Sequence, residues 1–217
     1  MVNVIGKEDS IFNQFLMELR DIHIQQDSQR FRKNLYRMGE IFAYEISKTL
    51  DYKNMEVTTP LGTLNMSVLA EHPVLATILR AGLPLHEGLL HFFDKADSGF
   101  ASAYRKYSKD EQFTIRLDYI SLPSINDRIL ILSDPMLATG GSLVASLRGI
   151  LETGTPKHIH IVSVVASEEG IAHVKKVFGL KKITLWMGAI DAELTAQAYI
   201  VPGIGDAGDL AFGKKGD

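Results

Sequence analysis

The pattern of apolar positions divides the chain into a helical first third and a longer part in which strands and helices alternate. A helix is predicted over residues 10–22, with Asp9 or Ser10 as its cap. Residues 28–50 predict a longer amphipathic helix, because apolar residues recur there every three or four positions, at Phe31, Leu35, Met38, Phe42 and Ile46. From about residue 73, short apolar runs alternate with helical patterns. The predicted strands are 73–79, 128–133, 158–165 and 183–186, and the predicted helices are 83–93, 142–152 and 168–178.

This alternation is typical of an α/β domain in which helices cover both faces of a parallel sheet. Two further features interrupt it. Residues 58–63 contain Pro60 and Gly62, which predicts a turn between two short strands. Residues 100–107 and 112–120 alternate in polarity around the polar positions 109–111, so we expect a protruding hairpin there.

The segment from residue 129 to 145 carries the strongest chemical signal. Four apolar residues predict a buried strand, Asp134 follows, and Thr139-Gly140-Gly141-Ser142 leads into a helical pattern. A strand, a glycine loop and a helix start together form an anion cradle. Backbone N–H groups converge there, and glycine lets a phosphate approach closely. A simple connection with Ser142 as the helix cap is the alternative that this pattern leaves open.

Two charged side chains follow predicted strands. Arg80 comes directly after the strand at 73–79, and Asp134 after the strand at 128–133. Ligands of such sheets bind outside the carboxyl ends of the strands. We therefore expect a cation, a carboxylate and the glycine loop at one edge of the sheet.

Three better-known motifs do not match this sequence. The glycine loop lacks the lysine of a P-loop. Gly203, Gly205 and Gly208 match a dinucleotide fingerprint, but too little chain follows them for the helix, strand and acidic residue of that site. His86 and His91 are five residues apart, about 140° around a helix, and so cannot grip one zinc ion.

Composition restricts the function classes. The chain has 217 residues, no cysteine and a formal net charge of −3. Disulfides, thiolate metal sites and a cysteine nucleophile are excluded, and the charge argues against a general nucleic-acid binder. No stretch has the roughly 18 apolar residues of a membrane span, and the start lacks a signal-peptide pattern. We expect a single cytoplasmic domain with no nucleic-acid or membrane partner.

Four segments carry a family resemblance over nearly the whole chain. They are Ile78-Leu79-Arg80-Ala81-Gly82, Asp134-Pro135-Met136-Leu137-Ala138-Thr139-Gly140-Gly141-Ser142, Ala166-Ser167-Glu168-Glu169-Gly170-Ile171 and Tyr199-Ile200-Val201-Pro202-Gly203-Ile204-Gly205-Asp206-Ala207-Gly208-Asp209. In order and rough spacing they resemble the uracil phosphoribosyltransferases. The last segment is the most specific, because other phosphoribosyltransferases do not end in this way.

The resemblance implies a type I phosphoribosyltransferase-like fold, with a parallel sheet flanked by helices in one domain over residues 1–217. It also implies a hood built from about residues 1–60 and 195–217, and a protruding β-hairpin arm. The implied reaction is transfer of 5-phosphoribose from phosphoribosyl pyrophosphate (PRPP) to N1 of uracil, giving UMP and pyrophosphate in pyrimidine salvage.

Residue roles follow from the same resemblance. Arg80, Arg105 and Asp134 would be catalytic, with the two arginines on the pyrophosphate and Asp134 on the ribose hydroxyls. The residues expected to bind PRPP are Arg80, Arg105, Asp134, Pro135, Met136, Leu137, Ala138, Thr139, Gly140, Gly141, Ser142 and Asp206. Those expected to bind uracil are Ile200, Gly205, Asp206 and Ala207.

Mg²⁺ is the expected cofactor, carried mainly by the oxygens of PRPP. The expected assembly is a homodimer or a higher homo-oligomer. The resemblance also raises a GTP effector, which the sequence leaves open. One departure concerns Tyr104-Arg105, which is followed by Lys106-Tyr107-Ser108 where the family usually has an acidic run. Two alternatives remain: a nucleotide-sensing, RNA-binding regulator on the same fold, and a phosphoribosyltransferase for another base.

Overall fold

The computed structural model describes residues 1–107 and 113–214, with the backbone alone for 103–107 and 113–118. In chain order the strands are β1 (Val2–Val4), β2 (Tyr52–Thr59), β3 (Gly62–Leu69), β4 (Val74–Leu79), β5 (Asp97–Tyr107), β6 (Phe113–Ser121), β7 (Ile129–Ser133), β8 (Met136–Leu137), β9 (His158–Ser167), β10 (Ile183–Asp191), β11 (Glu193–Leu194) and β12 (Ile200–Val201). The helices are α1 (Ile11–Arg20), α2 (Ser28–Ser47), α3 (Leu83–Phe92), α4 (Gly141–Glu152), α5 (Glu168–Phe178) and α6 (Ala207–Phe212), and a turn of 3₁₀-helix covers Ile5–Lys7.

A mostly parallel sheet forms the centre of the fold. Its strands lie in the order β1-β10-β9-β7-β4-β5-β6, and the short β8 also lies beside β9. Neighbouring strands run parallel except β5 and β6, which are antiparallel. Every residue of β9 after His158 is buried, as expected for a parallel strand that is covered on both faces. The predicted fold class is confirmed.

Helices pack on both faces of this sheet. Successive residues of β4, Val74 and Leu75, belong to different apolar clusters, because neighbours in a strand point to opposite faces. Phe12, Leu35 and Leu85 of α1, α2 and α3 belong to one cluster. Helices α4 and α5 supply the other, as at Leu147 and Val174. The sheet is therefore the middle layer of three.

The first two helices follow the sequence pattern. The Ser10 hydroxyl accepts the Phe12 N–H at 3.3 Å and caps α1. Asp27 caps α2 by accepting the Gln29 and Arg30 N–H groups, each at 3.0 Å. The five apolar residues that predicted α2 are all buried, although the helix ends at Ser47 rather than at 50. Helical periodicity therefore identified the face that packs on the sheet.

Two hairpins differ in their relation to the sheet. The predicted turn at 58–63 is confirmed, and it joins β2 and β3, two largely exposed strands of eight residues that form a separate two-stranded sheet. The second predicted hairpin, β5–β6, is anchored in the main sheet, because β5 pairs with β4 from Asp97 to Ser102. Its polar turn at 109–111 lies outside the described residues. Within the described ranges, no helix has the length and apolar content to cross a bilayer.

Candidate active site

Three parallel strands end at the same edge of the sheet, β4 and β7 side by side and β10 separated from β7 by β9, and each is followed by or ends in a charged residue. Arg80 follows β4, Asp134 follows β7 and Asp191 ends β10. The ends of β4 and β7 are locked together, because the Thr77 hydroxyl donates to the Ser133 carbonyl at 2.9 Å. The predicted cation and carboxylate therefore lie at one edge of the sheet, as parallel strand ends require.

Asp134 is held by its backbone and is partly enclosed. Its N–H donates to the Val162 carbonyl at 3.0 Å, and its carbonyl accepts the Ser163 hydroxyl at 2.7 Å. Burial raises the pKa of Asp134 to about 7, and a hydrogen bond from the Met136 N–H to its Oδ1, at 3.3 Å, offsets only part of this effect. A cation or hydroxyl donors beside this carboxyl group would stabilise its charged form. Such a shifted pKa is typical of a functional group rather than a structural one.

The loop between β8 and α4 turns its carbonyls towards α5. The Ser167 hydroxyl donates to the Ala138 carbonyl at 2.6 Å, and His173 Nδ1 lies 2.8 Å from the Thr139 carbonyl. In a planar trans peptide the C=O and N–H groups point in opposite directions. The N–H groups of Thr139 and Gly140 therefore point away from α5. The predicted cradle thus presents hydrogen-bond donors, as the binding of an anion requires.

The start of α4 adds further donors. The helix begins at Gly141, with Gly140 at its cap position and no side chain capping it. The interpretation of Ser142 as the cap is therefore wrong. The Thr139 hydroxyl accepts the Gly141 N–H at 3.4 Å, and the other first-turn N–H groups have no carbonyl within the helix to bind. An uncapped helix start of this kind suits a phosphate.

Gly140 is required for a different reason from the one expected. Its φ of +77° lies in the left-handed region, which favours glycine. A Cβ on Gly140 would lie 3.1 Å from the Gly170 carbonyl oxygen and 3.4 Å from His173 Nδ1. The Cβ would therefore press on α5 rather than on an approaching phosphate, and the glycine allows the loop to pack against this helix.

The C-terminal glycine segment is built into the fold. Strand β12 pairs with β11 through Ile200 and Leu194, and Asp206 caps α6 by accepting the Asp209 N–H at 2.9 Å. Two of the four residues expected to bind uracil, Ile200 and Ala207, are buried, whereas Gly205 and Asp206 are exposed. Contacts from Ile200 and Ala207 to a base would therefore run through their backbone.

Arg80 connects the two predicted halves of the site. Its Nη2 donates to the Gly213 carbonyl at 3.1 Å and lies 3.4 Å from Asp209 Oδ1. The strand end that carries the expected pyrophosphate ligand thus meets α6. This helix begins at Ala207, the last residue of the segment 200–207 that is expected to bind uracil and is called the uracil segment below. The Arg105 side chain lies outside the described residues, so its predicted role is not tested.

Two residues of the site gave no signal in the sequence analysis. Arg20 donates to the Asp191 carboxylate from Nη1 and Nη2, at 2.8 Å each. The same pair holds Gly203: its N–H donates to Asp191 Oδ2 at 2.9 Å, and its carbonyl accepts Arg20 Nη1 at 2.9 Å. Asp191 was missed because the predicted strand stopped at 186. Extending it to its real end would have revealed a second carboxylate at a strand terminus.

Comparison with solved structures first defines the class of fold. Orotate phosphoribosyltransferase from Mycobacterium tuberculosis, solved in complex with PRPP, matches with a TM-score of 0.52 at 11% identity, covering 87% of this chain and 95% of that one. The AQ2163 protein from Aquifex aeolicus matches more closely, with a TM-score of 0.86 at 30% identity over 98% of both chains. The fold is that of the phosphoribosyltransferases.

Comparison of sequences then defines the family. The uracil phosphoribosyltransferase family model matches residues 8–214. The uracil phosphoribosyltransferase of Porphyromonas gingivalis is 50% identical over 211 residues, which cover 97% of each chain. The chain belongs to the uracil phosphoribosyltransferase family, and the predicted resemblance is confirmed.

Proposed function

We propose that this chain transfers 5-phosphoribose from PRPP to N1 of uracil. The C1′–O bond to pyrophosphate breaks, the N1–C1′ bond forms, and the products are UMP and pyrophosphate. One observation carries the proposal beyond family membership: the Arg80 contact to Gly213 and Asp209 joins the PRPP edge of the sheet to the uracil segment. Both substrates can then meet at one place, as the reaction requires.

The loop from Pro135 to Ser142 would bind the 5′-phosphate of PRPP. Its carbonyls at Ala138 and Thr139 are engaged from the side of α5, so the N–H groups of Thr139 and Gly140 point away from α5 and can bind an anion there. Preorganised amides do not have to reorient when the phosphate arrives, which keeps the cost of binding low. Asp134, at the start of this loop, would accept hydrogen bonds from the ribose hydroxyls.

Arg80 and Arg105 would stabilise the departing pyrophosphate. Cleavage of the C1′–O bond leaves negative charge on the leaving group, and fixed cations lower the barrier most where charge develops. Arg80 is exposed, and its partners among the described residues are an exposed carboxylate and a carbonyl. A pyrophosphate can therefore replace those partners at little cost.

The segment from Ile200 to Ala207 would read the edge of uracil, on which O4, N3–H and O2 alternate as acceptor, donor and acceptor. Backbone N–H and C=O groups are fixed in direction, unlike a flexible side chain. Asp206, exposed at the start of α6, would also face PRPP. A base with a different donor pattern leaves polar groups unpaired and is rejected.

The residues present fit a Mg²⁺ that arrives on PRPP. Magnesium keeps waters and substrate phosphates as ligands and needs one or two carboxylates from the protein. In the described part of the chain no three His, Asp or Glu side chains converge on one position, whereas Asp134 supplies a carboxyl group whose raised pKa a cation would lower. When bound, the ion would neutralise charge on the pyrophosphate.

We further propose a cytoplasmic homodimer or higher homo-oligomer, formed as one domain with a hood from about residues 1–60 and 195–217. Contacts between the chain ends support the hood, such as that from Arg32 Nη1 to the Ala211 carbonyl at 2.6 Å. The exposed β2–β3 hairpin supports association, because isolated hairpins are marginal in water. A GTP effector remains part of the proposal without a site assigned to it.

An assay for UMP tests the function directly. Purified protein is incubated with PRPP, uracil and Mg²⁺, and UMP and pyrophosphate are measured by chromatography. We expect equal amounts of both products, formed only when both substrates are present. Release of pyrophosphate without UMP, or no turnover, would contradict the proposal.

A further inference from the structure

A buried ion pair lies next to the uracil segment without belonging to it. Arg20 is the last residue of α1, and Asp191 is the last residue of β10. Their side chains are 23% and 8% exposed, and two hydrogen bonds of 2.8 Å join them side by side. The planar guanidinium matches the carboxylate in a fixed orientation, which a lysine ammonium could not impose.

The pair engages both backbone polar groups of one residue in the uracil segment. Asp191 Oδ2 accepts the Gly203 N–H, and Arg20 Nη1 donates to the Gly203 carbonyl, each at 2.9 Å. Gly203 is buried, its φ is +60°, and a Cβ there would lie 2.2 Å from the Ile200 carbonyl oxygen. The backbone is therefore fixed at a tight turn between Ile200 and Gly205, the first two of the residues assigned to uracil.

The charge state of the pair is stable near neutral pH. Burial raises the pKa of Asp191, but the hydrogen bonds from Arg20 and from the Gly203 N–H together lower it by more than burial raises it. The pKa therefore lies below its ordinary value. A carboxylate that accepts three charge-favouring hydrogen bonds keeps its orientation. The two side chains are therefore oriented to hold the backbone turn at Gly203 in place.

We propose that Arg20 and Asp191 are positioning residues for uracil: by gripping Gly203 they set the backbone register with which Ile200 and Gly205–Ala207 read the base. This inference rests on the proposed function. Neither side chain needs to touch uracil. Because the register determines which amides and carbonyls face the base, a shift of about 1 Å is enough to weaken recognition substantially.

A second ion pair that involves the same helix provides a control. Arg30 binds Glu18 with Nε at 2.8 Å and Nη2 at 2.7 Å; the Glu18 side chain is 6% exposed and the Arg30 side chain 52%. Like Arg20, Glu18 lies on α1, but its described partners, Gln14, Arg30 and Asn34, belong to α1 and α2. Arg30→Lys therefore loosens a similar pair without touching Gly203.

The experiment compares wild type, Arg20→Lys, Asp191→Asn and Arg30→Lys, each checked for folding by circular dichroism. For Arg20→Lys we expect the KM for uracil to rise ~10-fold or more, with the KM for PRPP within about threefold of wild type. The preference for uracil over cytosine in kcat/KM should also fall. Asp191→Asn should behave in the same way, and Arg30→Lys should keep both KM values.

Several outcomes would overturn the inference. One is an unchanged KM for uracil in folded Arg20→Lys and Asp191→Asn. Another is an equal rise in Arg30→Lys, which would show a general effect of hood stability. If both variants of the pair fail to fold while Arg30→Lys folds, the pair is a requirement of the fold and the inference fails. A wild-type protein without UMP formation contradicts the proposed function instead, so the two failures are distinguishable.

Discussion

Arg80 Nη2 lies 3.4 Å from Asp209 Oδ1, which links the carboxyl end of β4 to helix α6 near the end of the described chain. The side chains are 40% and 36% exposed. An ion pair this exposed contributes little to stability, on the order of 0–1 kcal/mol. Arg80 is therefore available to a stronger anion, and its importance should appear in kinetics rather than in folding.

Arg80→Ala should lower kcat/KM for PRPP on the order of 10²-fold, because it removes a cation from the departing pyrophosphate. The loss in free energy of unfolding should stay below about 1 kcal/mol. Asp209→Asn is the matched control: it breaks the same pair but keeps the arginine, so kcat/KM should stay close to wild type. Equal kinetic losses in the two variants would mean that the pair itself, not the free guanidinium, matters.

Asp134→Asn should make the protein more stable at pH 8 and less active. In the folded protein the pKa of Asp134 is about 7, against an ordinary value of 3.8. The unfolded chain therefore loses this proton at lower pH, and the folded state loses stability as the pH rises from about 4 through 7. Asparagine removes that loss, so at pH 8 the variant should gain on the order of 2 kcal/mol.

Urea unfolding at pH 5 and pH 8 measures this effect. The advantage of Asp134→Asn should be larger at pH 8 than at pH 5, while kcat/KM falls by on the order of 10²-fold. A variant that is less stable than wild type at pH 8 would show that the carboxylate is already well solvated or paired.

Gly140→Ala should weaken PRPP binding. Alanine is strained at a φ of +77°, and its Cβ would press on the Gly170 carbonyl at 3.1 Å, so the loop must shift. Gly179→Ala is the control: φ there is +66°, and a Cβ would meet no atom within 4 Å. Both variants should lose roughly 1–3 kcal/mol of stability from backbone strain, but only Gly140→Ala should lose PRPP affinity in calorimetry. Equal PRPP affinity in the two variants would contradict the cradle.

The β2–β3 hairpin should carry the contact between subunits. Met55 and Met66 face each other across the two strands, and each is 47% exposed. Replacing both with glutamate should give a folded monomer in light scattering, because a charged pair cannot be buried against a partner. Ile22→Glu, at a residue 68% exposed elsewhere, should leave association unchanged. A wild-type protein that is already a monomer would end this part of the proposal.

The parts of the site that the sequence predicted have local signals. Helix α2 was predictable because its buried residues recur at helical spacing, and Asp134 because it directly follows four apolar residues. The Arg20–Asp191 pair was not, because the partners are 171 residues apart and no local pattern joins them. Gly188 also interrupts the apolar run of β10 before Asp191. The atoms that a Cβ at position 140 would meet belong to α5, and only the three-dimensional packing brings that helix to the loop.

The most direct test of the account is the ratio of kcat/KM for uracil to that for cytosine, measured with PRPP and Mg²⁺. Cytosine replaces the O4 acceptor with an amino donor and N3–H with an acceptor. A backbone that pairs with uracil would then face donor with donor and acceptor with acceptor. We predict a ratio of about 10⁴ or more in favour of uracil, since unpaired buried polar groups reject a base this strongly. Comparable turnover of cytosine would contradict the account.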